Sequence, residues 1–191
     1  MKRILLISLL LMMMAGCATP TITDYSKEIK WNNIKIYHNP KDAEAYVNRA
    51  IAYYHLGGYQ QAIHDCSKAI ELKPNVDKAY ITRANAFSAL GSFQQAINDY
   101  NKAIDQNPKD AETYNNLGFA YKELGDFQQA INDYNKAIEL NPNYAGAYVN
   151  RGVAYEALGN HEMFIQNLKR AAKLGQKQAQ DYLSSRGIEW Q

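Results

Sequence analysis

Apolar residues in this chain recur at three- and four-residue steps, and the whole pattern then repeats every 34 residues. Between 111 and 124, Tyr114, Leu117, Gly118, Tyr121 and Leu124 share one side of a helix. Between 127 and 140, Phe127, Ala130, Ile131, Tyr134, Ala137, Ile138 and Leu140 do the same. Gly125 suits the left-handed residue that ends the first helix. Asp126 suits the N-cap of the second; Ser92 and Asn160 hold the equivalent place, and Gly58 is the weaker cap. Pro142 stops the second helix. The pattern predicts helix, short turn, helix, short turn.

The repetition extends along the chain. Pro40, Pro74, Pro108 and Pro142 are evenly spaced, as are Gly57, Gly91, Gly125 and Gly159, and Ala69, Ala103, Ala137 and Ala171. One twelve-residue segment occurs unchanged at Phe93–Ile104 and Phe127–Ile138. Four units result, 43–76, 77–110, 111–144 and 145–176. The fourth diverges: Phe164 replaces the alanine seen at Ala62, Ala96 and Ala130, and Gln176 replaces the proline. A packing change and the end of the stack are expected there. Residues 177–191 read as a capping helix and tail, with Ala179, Tyr182 and Leu183 inward. Residues 25–42 read as an N-terminal helix, Tyr25 to His38, like a second helix lacking its partner. A single hairpin cannot cover its apolar face, so its neighbours must supply the rest, and alanine methyls permit the close approach.

The Asp/Ala-x-Ala-Tyr start of each unit, with Gly, Ala and Pro at fixed offsets, resembles the tetratricopeptide repeat family. The resemblance implies an all-α, right-handed superhelical solenoid whose first (A) helices line a concave groove. It also implies protein binding rather than catalysis. Position 6 of the A helices carries Asn48, Thr82, Asn116 and Asn150, and Asn85 and Asn115 extend the polar row. Amides both donate and accept, so such a row can hold a peptide backbone whatever its sequence. It resembles the asparagine ladder of some members, interrupted at Thr82; the plainer alternative is solvated helix surface. Ile51 and Phe119 would add apolar contacts. Val47, Ile51, Thr82, Glu112 and Asn116 stand where the family's carboxylate clamp needs basic residues, which argues against that clamp. Arg49, Arg83 and Arg151, with Asp65, Asp99 and Asp133, read as structural pairs. Leu117 and Asn167 break the two series in different units.

Composition adds limits. The hydrophobic fraction is 47% and the formal charge +2, an excess that Lys2 and Arg3 account for. No broad basic field is left to favour nucleic acid. Those two residues open a basic start, followed by the apolar run Ile4 to Ala15 and then Met14-Ala15-Gly16-Cys17. Small residues before a cysteine resemble the lipobox of bacterial lipoproteins. That resemblance implies a signal peptide over 1–16, acylation at Cys17 and a tether over 17–24. Ala18 then favours the outer membrane of the cell envelope by the family's sorting rule. Cys66, the other cysteine, is expected to be a buried small hydrophobe. His38, His55, His64 and His161 show no metal-ligand spacing, and no nucleotide or nucleophile motif is present. The expectation is no catalytic residue, no metal and no cofactor. Partners would be a protein or peptide and, through the anchor, a membrane. Self-association into a homo-oligomer and service as an accessory subunit are the alternatives.

Overall fold

The computed structural model describes residues 22–190, which contain ten α-helices and no strand. The signal segment 1–16, Cys17 and residues 18–21 lie outside the described residues. The first helix, α1 (Ile22–His38), starts three residues earlier than predicted. Asp24 lies in its first turn and Ser26 Oγ donates to the Ile22 carbonyl (3.1 Å), so the helix takes in residues assigned to the tether.

Four helical hairpins follow: α2 (Ala43–His55) with α3 (Tyr59–Leu72), α4 (Asp77–Ala89) with α5 (Phe93–Gln106), α6 (Ala111–Glu123) with α7 (Phe127–Leu140), and α8 (Ala145–Ala157) with α9 (His161–Lys173). The last helix is α10 (Lys177–Ser185). Gly57, Gly91, Gly125 and Gly159 end the A helices at φ of 75 to 83°, a region costly for any side chain. Asp126 accepts from the Gln129 N–H and Asn160 from the Met163 N–H, both at 3.1 Å, as expected of N-caps. Ser92 makes no such bond. Its ψ of 59° departs from the extended backbone from which a short hydroxyl reaches the first turn.

Each second (B) helix packs on its own A helix and on the next, and successive A helices also touch. That asymmetry puts the A helices on the inner side of a curved stack. Ala50, Ala62, Ala84, Ala96, Ala120 and Ala130 are all fully buried at these crossings. Glycine takes the alanine position in the last two units, at 118 and 152. A Cβ on Gly118 would lie 2.8 Å from the Tyr134 ring, so the missing methyl makes room for that buried tyrosine. A Cβ on Gly152 would lie 3.1 Å from Asn167 Cβ, so the missing methyl there serves the close approach of α8 and α9, while Phe164 in place of alanine packs in the cluster that includes α10. Phe164 then meets Tyr182 edge-on at 5.5 Å, and Ala179 and Leu183 are buried on the inner face of α10. Gly175, at φ 90°, ends α9 with the tight turn used inside hairpins, where earlier units place proline between them.

Arginine side chains join neighbouring units. Arg49 grips Asp65 through Nε and Nη2, both 2.7 Å, and donates from Nη1 to Asn33 on α1 (2.7 Å). Arg83 does the same with Asp99 (2.7 and 2.8 Å) and with Ser67 on α3 (3.0 Å). One planar fork thus ties a B helix to the one before it. The third unit lacks this joint because Leu117 stands where the arginine would be. Asp133 is buried, and among the described residues it receives a hydrogen bond from Gln129 Nε2 (3.3 Å) and has no Lys or Arg within ion-pair distance. Burial pushes its carboxyl up to about 7. In the fourth unit Arg151 remains but donates to two amides, Asn167 (2.9 Å) and Asn135 on α7 (2.6 Å), and burial lowers the guanidinium's pKa.

A carboxyl that titrates near 7 in the folded chain and near ~4 unfolded makes the folded state bind the extra proton between those values. Stability therefore falls as pH rises through that window, and the whole penalty persists above it. Asp133→Asn should raise stability at pH 8 by about 1–2 kcal/mol and leave it unchanged at pH 4. Urea midpoints at the two pH values check this.

Candidate binding groove

Because the A helices face inward, α2, α4 and α6 enclose an open cavity of about 750 Å³. Ile51, Thr82, Asn85, Asn116 and Phe119 line it, together with Tyr54, Tyr100, His55 and Glu112. Five of the groove residues expected from the sequence therefore come together here. Asn48 does not join them: it lies in a smaller cleft of about 320 Å³ with Tyr25 and Glu28 of α1. Asn115 is buried, and Asn150 lies beyond it on α8.

The amides form a chain instead of a row of free groups. Asn150 Nδ2 donates to Asn115 Oδ1 (2.9 Å), and Asn115 Nδ2 to Asn116 Oδ1 (3.3 Å). Asn116 Nδ2 donates to Asn85 Oδ1 (3.5 Å), which also accepts from the Tyr100 hydroxyl (2.6 Å). The chain crosses three units and fixes the orientation of each amide. Each amide still has hydrogen-bonding capacity left over, since it carries two donors and two acceptor sites. Phe119 occupies the place in unit three that Asn85 holds in unit two, so the buried Tyr134 hydroxyl, the counterpart of Tyr100, has no partner among the described residues.

Electrostatics at the cavity are set by one carboxylate. Among the described residues Glu112 is the only acid in the lining, and no Lys or Arg is part of it. Burial raises the Tyr54, Tyr100 and Tyr144 hydroxyls, and the charge on Glu112 raises them further. At the rim, Lys122 Nζ lies 4.5 Å above the Phe119 ring. His55 stacks on Tyr25 at 4.5 Å, so α1 borders the first unit's end of the groove. Tyr100 was missed as a lining residue by sequence reasoning, which placed only A-helix positions, Glu112 among them, on the groove face. Tyr100 comes from a B helix, and only the inter-unit bond to Asn85 shows that it reaches the cavity.

Among the described residues no group of three or more His, Cys, Asp or Glu side chains could hold a metal ion. Burial pushes the Cys66 thiol up to about 12, which keeps it protonated at neutral pH. Among the described residues no helix is long and apolar enough to cross a membrane.

Family models described as tetratricopeptide repeat match residues 43–76, 111–144 and 133–163, and one described as TPR repeat matches 84–125. A Triticum aestivum Hsp70-Hsp90 organizing protein is 46% identical over 50 residues, which are 26% of this chain and 9% of that protein. The crystal structure of MamA superposes with a TM-score of 0.76 at 26% identity, covering 83% of this chain and 92% of that one. MamA from Desulfovibrio magneticus RS-1 also gives 0.76, at 21% identity over 81% and 88% of the two chains. A thermophilic TPR protein of Thermus thermophilus, TTC0263, gives 0.68 at 19% identity over 85% and 90%.

Removing Asn85 should deprive the buried Tyr100 hydroxyl of its 2.6 Å acceptor, leaving it Ser88 alone as a side-chain partner among the described residues. Asn85→Ala is expected to cost about 1–3 kcal/mol in urea unfolding. The double change Asn85→Ala with Tyr100→Phe should recover part of that loss.

Proposed function

The chain belongs to the tetratricopeptide repeat family, and from that premise we propose that it is a docking protein, not an enzyme, holding a segment of a partner protein in the α2–α4–α6 groove. The observation that carries the reading is the cavity itself, lined by fixed amides, three aromatic rings and one carboxylate. Amide groups oriented by their neighbours can engage a peptide backbone without the entropy cost of ordering them on binding. Phe119, about 37% exposed, offers an apolar platform, and Glu112 favours a neutral or basic segment. The absence of lysine and arginine from the lining makes it a poor receptor for an acidic C-terminal tail, although the matched stretch of the plant relative belongs to an Hsp70-Hsp90 organizing protein.

The setting belongs to the same proposal. A basic start, an apolar run and small residues before Cys17 support export and acylation at that cysteine, with the stack moored to the outer membrane of a bacterial envelope. Lipid at one cysteine would then hold the groove near a surface on which partners are assembled.

Capture of partners from the native envelope, compared between wild type and Phe119→Ala, tests the groove. The variant should bind its captured partner about 10–100-fold more weakly, because an exposed aromatic anchor is lost while the fold stays intact. Equal affinity would exclude the groove as the docking surface. Acyl mass at Cys17, and release of Cys17→Ala from the membrane fraction, test the mooring independently.

A further inference from the structure

Four large hydrophobic side chains exposed on the described surface belong to one helix, α1: Ile22 (75%), Trp31 (56%), Ile34 (51%) and Tyr37 (82%). Tyr25, Ile29, Asn32 and Ile36 make its buried or half-buried side, and α1 packs on α2. At about 100° per residue, Lys27, Lys30, Ile34, His38 and Trp31 share the opposite arc, with Tyr37 at its margin. The two acids of the helix, Asp24 and Glu28, fall toward the flank, where Asp24 lies 3.9 Å from Lys27. Lys35 Nζ sits 5.8 Å from the Trp31 ring centroid. The outward face therefore combines an indole, a phenol, an aliphatic chain and lysines, and carries no acid at its centre.

In register with the B helices, α1 would be the second helix of a preceding unit, yet it is not shaped to receive another hairpin. Where B helices carry the fully buried alanines Ala62 and Ala69, α1 carries Glu28 and Lys35. Where they carry the arginine-binding Asp65 and Asp99, α1 carries Trp31. Bulky and charged groups at the crossing points prevent the close approach on which every joint in this stack depends.

We infer that this face of α1 rests on an anionic lipid bilayer, with Trp31, Ile34 and Tyr37 in the headgroup region and Lys27 and Lys30 against lipid phosphates. Aromatic residues prefer that interface, and basic amphipathic helices lie in its plane. The inference rests on the mooring at Cys17 for its proximity. Five residue steps separate Cys17 from Ile22, about 17 Å when extended, so an acyl group there confines α1 to the membrane surface. At 1.5 Å per residue the helix itself runs about 26 Å, long enough for all three apolar side chains to meet the same surface.

The chain's two tryptophans make the test direct. The purified mature chain is reconstituted in vesicles of phosphatidylethanolamine and phosphatidylglycerol, part of them with brominated acyl chains. In a Trp190→Phe variant Trp31 should shift to the blue and lose at least half its emission. In a Trp31→Phe variant Trp190, at the far end of the stack, should do neither. Lys27→Gln with Lys30→Gln should weaken the contact roughly five-fold per lysine. Unquenched Trp31 in a chain whose mass shows acylated Cys17 would overturn the inference and leave the mooring standing. Shielding of Trp31 from iodide in concentrated, vesicle-free solution would overturn it in favour of a second copy. If Cys17 carries no acyl group the mooring fails, and the same quenching after vesicles are added to the chain then decides for or against α1 alone.

Discussion

A two-helix hairpin has more apolar surface than its own two helices can cover, and the whole structure follows from that shortfall. Each unit must press against the next, and the pressure is transmitted through alanines so small that helix backbones nearly touch. Ala50, Ala84 and Ala120 on the A helices and Ala62, Ala96 and Ala130 on the B helices lose all contact with solvent in this way. At Gly118 even that methyl is gone, and a Cβ there would lie 2.8 Å from the Tyr134 ring. In the fourth unit a Cβ on Gly152 would lie 3.1 Å from Asn167 Cβ, so glycine serves the close approach of α8 and α9.

Shape alone does not fix the order of the units, and the arginine forks add directional ties. Arg49 and Arg83 each hold an acid on their own hairpin and a polar side chain on the helix before it. Asp133, whose arginine is replaced by Leu117, weakens the joint between the second and third units, and Arg151 joins the third and fourth through the neutral amides of Asn167 and Asn135. Removing one member of a buried pair costs more than never having had the pair. The later joints thus rest more on packing and neutral hydrogen bonds than on charge, and the burial of Asp133 makes stability depend on pH there.

The hairpins, their turns, the buried Cys66 and the final helix were legible in the sequence because each depends on local spacing. Gly125 and Asp126 declare a turn without reference to any distant residue. The site was legible only in part. Asn85, Asn116, Thr82, Ile51 and Phe119 share a helical face, and that much follows from counting. That Asn150 would reach Asn115, and Asn116 reach Asn85, depends on the spacing between neighbouring A helices, which no single unit encodes. Asn48 was misplaced for a related reason: α1, outside the repeats proper, lies over it. Ser92 looked like a cap by residue type, but its backbone angle withholds the hydroxyl.

The same shortfall governs the two ends of the stack. At the C-terminal end α10 closes the last hairpin with Ala179 and Leu183, and the exposed surface beyond it is mainly polar. At the N-terminal end α1 covers the first hairpin but turns a tryptophan, an isoleucine and a tyrosine outward. A terminal helix that served only as a cap would be expected to show a polar outer face, as solenoid ends generally do. α1 packs Tyr25, Ile29 and Ile36 inward beside the buried Asn32, yet it also turns Trp31, Ile34 and Tyr37 outward. That exposure is unfavourable for a chain surrounded by water on every side. It becomes favourable when the outer face of α1 meets something other than water, and the bilayer proposed to hold Cys17 would be such a surface.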